Sequence, residues 1–151
     1  MEIGDSLPHG HLTSADGTRF ALAGRIGQPM VVYFYPKADT TGCTREAQDF
    51  SALEQDFRAR GATVIAVSRD TPAKLTRFAT KHALTVELAS DEDGSVCEVF
   101  GTWVEKQMYG RSYMGIERAT FLFDATGKLV RQWRKVKVPG HAVEVLAAVP
   151  A

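Results

Sequence analysis

The feature that most constrains the fold is a pair of short apolar runs, VVYFY at 31–35 and ATVIAVS at 62–68. Both runs carry β-branched, aromatic or other apolar residues at consecutive positions, so both faces of each strand are apolar. This pattern is typical of strands buried on both sides of a sheet. The segment between them ends at Gly61 and carries apolar residues at helical spacing: Ala47, Phe50, Leu53 and Phe57. We therefore predict one long helix that joins two parallel strands through a right-handed crossover.

The remaining segments extend this unit into a larger sheet. Asp16-Gly17 indicates an N-terminal β-hairpin, and Thr71-Pro72 indicates the start of a helix. Further elements are expected as a strand at 86–90, a short helix at 96–100, a hairpin of 119–124 with 128–134, and a helix at 141–149. We predict one α/β domain over residues 1–151, with a central mixed β-sheet, helices on both faces and the N-terminal hairpin. That order of elements resembles the thioredoxin-like fold.

Composition argues against several classes of function. The chain has 18 basic and 18 acidic side chains, so no overall charge favours a nucleic acid or an anionic membrane. The basic run RQWRKVK (131–137) is explained better by a charged edge strand with Trp133 turned inward than by nucleic-acid binding. No apolar run is long enough for a bilayer, and no C-x-x-C or zinc-spaced motif occurs. We expect a cytoplasmic protein without a metal, a membrane segment or a secretory signal.

One of the two cysteines, Cys43, lies where a buried strand gives way to a helix, in FYPKADTTGCTREAQDF (34–50). This is the carboxyl end of a central strand, where α/β sheets place their ligands. A thiol attacks as the thiolate, and the free N–H groups and dipole of a helix N-terminus favour that anion. Asp39 or Thr40 is placed to cap the helix, the Thr40 hydroxyl lies one turn from the sulfur, and Pro36 offers a rigid apolar wall. A reactive thiol is favoured; the alternative is a small hydrophobe packed under the helix.

Pro36, Thr40 and Cys43 together form P-x-x-x-T-x-x-C, the motif of the peroxiredoxins, which this chain resembles over nearly its whole length. The segments YFYPKADTTGCTREAQDF, SDEDGSVCEVFGTW and MYGRSYMGIERATFLFD are similar to the bacterioferritin comigratory protein (PrxQ) branch. The resemblance implies a thioredoxin-like fold and reduction of hydrogen peroxide or organic hydroperoxides by thiols. It also implies a monomer without metal, flavin or haem.

The same resemblance implies roles for individual residues. Cys43 is the nucleophile, and Pro36 shields its sulfur. The Thr40 hydroxyl and the Arg118 guanidinium are fixed donors that stabilise the charge moving along the S–O–O line. Without the resemblance, Arg118 would be taken as an exposed arginine at a strand end. Glu46 is similar to a glutamate that holds the arginine in relatives; alternatively, it is a first-turn acid that complements the helix dipole.

The chain departs from the PrxQ pattern in its second thiol. The two positions that carry a resolving cysteine in relatives are here Gln48 and Ala79, and Thr41 replaces the usual proline. Cys97 remains, and its apolar neighbours predict a half-buried helix residue. A disulfide needs Cα atoms within about 7 Å, which sequence spacing does not establish for Cys43 and Cys97. We therefore predict a one-cysteine peroxidase whose sulfenic acid is reduced by an external thiol: thioredoxin, glutaredoxin or glutathione.

A second function stays open, namely a peroxide sensor that passes oxidation to a partner protein with little turnover. Neither function requires a second thiol inside the chain. A general disulfide oxidoreductase is disfavoured, because the chain has no C-x-x-C.

Two other groups of residues carry weaker signals. The four histidines lack metal-ligand spacing; we expect His82 to be a last-turn cation and the other three, His9, His11 and His141, to lie at the surface. The aromatic and methionine residues at 108–114 are expected in a loop that either lines a substrate mouth or packs on itself.

Overall fold

The computed structural model describes residues 1–150. The strands are β1 (His11–Ser14), β2 (Arg19–Ala21), β3 (Met30–Phe34), β4 (Thr63–Ser68), β5 (Glu87–Ser90), β6 (Trp103–Met108), β7 (Arg111–Ile116), β8 (Ala119–Phe123) and β9 (Leu129–Trp133). The helices are α1 (Thr41–Ala52), α2 (Glu54–Ala59), α3 (Pro72–His82), α4 (Ser95–Val99) and α5 (His141–Ala148), with a 3-10 turn at Leu22–Arg25. None of the helices in the described part of the chain is long and apolar enough to cross a membrane.

Seven strands form the central sheet, in the order β2-β1-β5-β4-β3-β8-β9. β3 pairs in parallel with β4, and β4 with β5, whereas β8, β9 and the N-terminal hairpin pair antiparallel. The predicted parallel pair of central strands is therefore confirmed, as is the mixed sheet with its N-terminal hairpin. β9 is an edge strand, and Trp133 packs inward from it, as its sequence pattern predicted.

Side chains of β3 alternate between two cores, one on each face of the sheet. Val31 and Tyr33 face the core covered by α1, α2, α3 and α5, where the Tyr33 ring stacks on Phe50 with centroids 4.5 Å apart. Val32 and Phe34 face the second core, which α4 and the 3-10 turn cover. Helices therefore cover both faces, which explains why the central strands are apolar at consecutive positions.

The predicted single helix between the two parallel strands is wrong. α1 ends at Ala52 and α2 begins at Glu54, because Leu53 leaves helical geometry with φ −100° and ψ 4°. The Ser51 hydroxyl next to the break accepts backbone hydrogen bonds from residues 85 and 86, each 3.1 Å long, which ties this point to the start of β5. Phe50 and Phe57 pack in the same core on either side of the break. The apolar periodicity of the sequence therefore continues across the break at Leu53 and gives no indication of it.

The segment expected as a loop at 108–114 is a β-hairpin. β6 and β7 pair antiparallel from Trp103↔Ile116 to Met108↔Arg111 and form a separate two-stranded sheet. Tyr109 and Gly110 in the turn have φ of 53° and 76°, as two-residue hairpin turns of type I′ require. Most side chains of this hairpin reach solvent, so the sequence lacks the apolar alternation by which buried strands are recognised.

One of the four histidines lies elsewhere than expected. His9 and His11 are exposed, but His141 is only 5% exposed and hydrogen-bonds Thr120 at 2.7 Å. Its ring lies edge-on to Phe50 and Trp133. Burial lowers the pKa of His141 to about 4, so the imidazole is neutral at pH 7. The surface position expected for His141 is therefore wrong, because α5 packs its first residue against the sheet.

Candidate active site

Cys43 is the third residue of α1, directly after the loop that leaves β3. The first intrahelical bond runs from the Thr44 N–H to the Thr40 carbonyl at 2.8 Å. The three preceding N–H groups therefore precede the helical ladder and point out of the helix N-terminus. The positive end of the helix dipole adds to their effect at this position. The Cys43 side chain itself is only 2% exposed, so the fold shields the sulfur almost completely from bulk solvent.

Arg118 lies beside this sulfur. Its Nη2 donates a hydrogen bond to Sγ of Cys43 at 3.3 Å, although 75 residues separate the two in sequence. The pairing of β3 with β8 sets Ala119 opposite Phe34 and so brings the preceding arginine to the end of β3. Gly42 permits the approach, since a Cβ at that position would lie 3.3 Å from Nη2. A fixed cation and the helix N-terminus thus act on one sulfur atom.

Glu46 holds the other side of the guanidinium. Its Oε1 accepts a hydrogen bond from Nη1 of Arg118 at 2.6 Å, and the Glu46 side chain is 1% exposed. Burial raises the pKa of Glu46 to about 7, while the charge of Arg118 acts in the opposite direction. The contact matches the arrangement that the resemblance implied. The alternative of a first-turn acid that complements the helix dipole is wrong, because the first turn of α1 contains no acid. Glu46 fixes the direction in which Arg118 presents its second N–H group.

Thr40 occupies the N-cap position of α1 but makes no side-chain cap bond. Its hydroxyl donates instead to the Lys37 carbonyl at 2.8 Å, and no hydrogen bond joins it to Cys43 within residues 1–150. Asp39, the other candidate cap, has φ 65° and points to α3, where Lys81 and His82 contact its carboxylate. The predicted side-chain cap is therefore wrong. Because neither side chain covers the helix N-terminus, its N–H groups remain available to a ligand.

The loop between β3 and α1 is anchored to the neighbouring strand. The Tyr35 N–H donates to the Val67 carbonyl at 3.1 Å, and the Ala38 N–H donates to the Asp70 carboxylate at 2.8 Å. Pro36 lies between these two anchors and is half-buried. It fixes the backbone where the strand ends. Its shielding of the Cys43 sulfur stays a prediction.

Comparison with known proteins agrees with this geometry. A sequence model described as the AhpC/TSA family matches residues 3–132. The chain belongs to this family. Among its relatives are Peroxiredoxin Bcp of Xanthomonas campestris, 45% identical over 93% of this chain and 88% of the relative, and Peroxiredoxin Bcp of Bacillus subtilis, 42% identical over 97% and 93%.

Solved structures of similar proteins agree over almost the whole length of the chain. The bacterioferritin comigratory protein of Xanthomonas campestris superposes with a TM-score of 0.89 at 41% identity, covering 96% of this chain and 97% of the other. A PrxQ mutant from Xylella fastidiosa gives 0.92 at 42% identity, covering 97% and 94%. The thioredoxin-like fold and the PrxQ resemblance are therefore confirmed, and the chain is a peroxiredoxin.

One charged residue of this peroxiredoxin site was not predicted. Lys106 on β6 interacts electrostatically with both Arg118 and Cys43. Burial and the positive charge of Arg118 lower the pKa of Lys106, whereas the charge of Cys43 raises it. Its aliphatic stem also lies against the backbone of Gly115 on β7. The sequence spacing between Lys106 and Cys43 does not indicate that the two lie close together. Lys106 could have been predicted only if the β6–β7 hairpin had been predicted first.

Cys97 of this peroxiredoxin lies in the other core. It is fully buried with Phe34 and Phe100 on the opposite face of the sheet from Cys43, and both cysteines are free. Its N–H donates to the Asp91 carboxylate at 2.7 Å, and burial strongly raises the pKa of the Cys97 thiol. The prediction of a half-buried residue is wrong, because α4 closes completely over this face. The two sulfur atoms lie on opposite faces of the sheet, so the folded arrangement does not favour a direct disulfide between them.

Proposed function

We propose that this chain is a thiol-dependent peroxidase that reduces hydrogen peroxide and organic hydroperoxides to water and alcohols through Cys43. The observation that carries the proposal is the 3.3 Å contact between Nη2 of Arg118 and Sγ of Cys43 at a helix N-terminus. The Xanthomonas campestris relative, described as having alkyl peroxide reduction activity, supports organic hydroperoxides as substrates.

In the first step the Cys43 thiolate attacks one oxygen of the peroxide. The S–O bond forms as the O–O bond breaks, sulfur is oxidised to a sulfenic acid, and the leaving hydroxide or alkoxide takes up a proton to become water or alcohol. Arg118 and the free N–H groups of α1 are fixed before the reaction, so they stabilise the developing charge without reorganisation. Glu46 acts through Arg118, as a positioning residue.

Thr40 acts in this scheme as an acceptor, and the donor role that the resemblance implied for its hydroxyl is wrong for this arrangement. Its hydroxyl proton is engaged by the Lys37 carbonyl, which leaves the oxygen lone pairs free. The oxygen then accepts the O–H of the incoming peroxide and orients the O–O bond toward Cys43. Pro36 keeps competing water from the sulfur on the side of the loop.

The sulfenic acid is reduced by an external thiol, because Gln48 and Ala79 stand where relatives carry a second cysteine. Thioredoxin, glutaredoxin and glutathione are the candidate reductants. We propose in addition that the protein acts as a monomer in the cytoplasm.

Steady-state peroxide consumption by the wild type, Cys43→Ser and Cys97→Ser tests the proposal. Activity lost in Cys43→Ser and kept in Cys97→Ser is expected. Fast oxidation of Cys43 with no recycling by any of the three reductants would favour the peroxide sensor instead. A Cys43–Cys97 disulfide in mass spectra after one equivalent of peroxide would contradict the one-cysteine cycle.

A further inference from the structure

A cavity of about 520 Å³ opens beside the loop that leads into Cys43. We call it the α3 cavity, and its lining residues are Ala38 and Asp39 from the loop, and Lys74, Arg77, Phe78 and Lys81 from α3. The four α3 residues are spaced i, i+3, i+4 and i+7, so one face of the helix forms the wall. The volume falls within the range of small-molecule pockets, about 300–1,000 Å³.

The charges of the α3 cavity are unbalanced. Asp39, its one acid, is already paired with Lys81 at 2.8 Å and with His82 at 2.7 Å. Lys74 and Arg77 are exposed and form no salt bridge within residues 1–150. Two cations thus remain free at the wall of a cavity that the largely buried Phe78 also lines. This combination suits a small ligand with carboxylate groups and an apolar part.

The α3 cavity lies within reach of the candidate nucleophile. Asp39 immediately precedes Thr40, which shares the first turn of α1 with Cys43. Chain geometry therefore sets the Cα atoms of Asp39 and Cys43 within about 9 Å of each other. A tripeptide spans about 10 Å when extended, so one that lies along the cavity from Lys74 and Arg77 to Asp39 can place its thiol beside the first turn of α1.

We propose that the α3 cavity binds the carboxylate groups of a small thiol peptide of the glutathione class and directs its thiol to Cys43. This inference rests on the proposed peroxidase function. The peptide thiol attacks the Cys43 sulfenic sulfur, an S–S bond forms, and the hydroxyl leaves as water with the thiol proton. A second thiol then attacks the mixed disulfide, which releases reduced Cys43 and the oxidised peptide disulfide. The peptide supplies both electrons.

The test compares a charged thiol with an uncharged one on the full chain. The protein is oxidised with one equivalent of hydrogen peroxide and mixed with glutathione or with 2-mercaptoethanol, and loss of the sulfenic acid is followed by quenched-flow mass spectrometry. Lys74→Gln/Arg77→Gln removes the two free cations. Arg19→Gln/Lys137→Gln is the matched control, since it removes two exposed cations that form no salt bridge within residues 1–150 and do not line the cavity.

We expect the rate constant with glutathione to fall about tenfold in Lys74→Gln/Arg77→Gln, as loss of two exposed ion pairs predicts. The rate constant with 2-mercaptoethanol, and both rate constants of the control, should stay unchanged. Binding of S-methylglutathione to the reduced protein, followed by NMR at α3, should disappear in the same variant.

Equal losses for the two thiols, an equal loss in the control, or recycling by thioredoxin but not by glutathione would each overturn the inference. None of these results touches the peroxidase proposal, which fails separately if hydrogen peroxide does not oxidise Cys43 in the wild type.

Discussion

Replacement of Glu46 by glutamine should change how the stability of the protein depends on pH. Burial raises the pKa of Glu46 to about 7, against 4.5 for an unperturbed glutamate. The folded state therefore holds this proton more tightly than the unfolded state. The free energy of unfolding is highest below pH 4.5 and falls as the pH rises towards 7. The difference between the two pKa values corresponds to about 3 kcal/mol.

Urea denaturation of the wild type and Glu46→Gln, followed by circular dichroism from about pH 5 to pH 8, measures this dependence. His141 titrates in part of the same interval with the opposite sign, because its pKa is lowered to about 4. That contribution is common to both proteins and cancels in their difference. Asp56→Asn, at an exposed acid of α2, is the control, and it should keep the wild-type profile.

The test is the change in the free energy of unfolding with pH, and not its absolute value at one pH. Glutamine removes the titration, and above about pH 7 it also leaves the largely buried charge of Arg118 without the anion that the wild-type carboxyl supplies there. A difference between wild type and Glu46→Gln that stays constant with pH would refute the reasoning. It would mean that the carboxyl has the same proton affinity in the folded and unfolded chain.

Three further outcomes are expected. Arg118→Met should lower kcat/KM for hydroperoxides about 100- to 1,000-fold in a steady-state assay, as loss of one preorganised donor does elsewhere; wild-type activity would contradict its role. The imidazole of His141 should titrate at about pH 4 by NMR, because burial lowers its pKa, and a midpoint near 6.5 would show that it is solvated. Tyr109→Asn should raise the free energy of unfolding in urea by about 1 kcal/mol, because asparagine tolerates the left-handed turn conformation better; an unchanged or lower value would argue against the turn.

The parts of the fold predicted correctly are those governed by local pattern. The apolar strands β3 and β4 and the helix start at Thr71-Pro72 follow from residue type and spacing alone, and Thr71 accepts the predicted cap bond from the Lys74 N–H at 3.3 Å. The helix break at Leu53 could not be predicted in this way. It depends on a hydroxyl of Ser51 that bonds a segment more than 30 residues later.

In the candidate site, too, local sequence patterns predicted some residues and long-range contacts determine the others. Cys43 stands out in sequence because a strand, a turn and a helix start surround it. Arg118 reaches it only through the pairing of β3 with β8, a long-range contact that no local pattern records, so only the family resemblance identified it. The partner of Glu46 was implied in the same way. The burial of Cys97 and His141 required knowledge of which helices cover each face.

The hairpin β6–β7 shares no strand pairing with the central sheet, yet it brings Lys106 close to Arg118. Substitutions along its outer side chains therefore leave the registers of the seven-stranded sheet untouched. The charge close to Arg118 can therefore be changed in this hairpin while the scaffold that holds the sulfur stays constant. Mutant libraries confined to residues 104–114 would vary the surroundings of Arg118 without altering the core of the seven-stranded sheet.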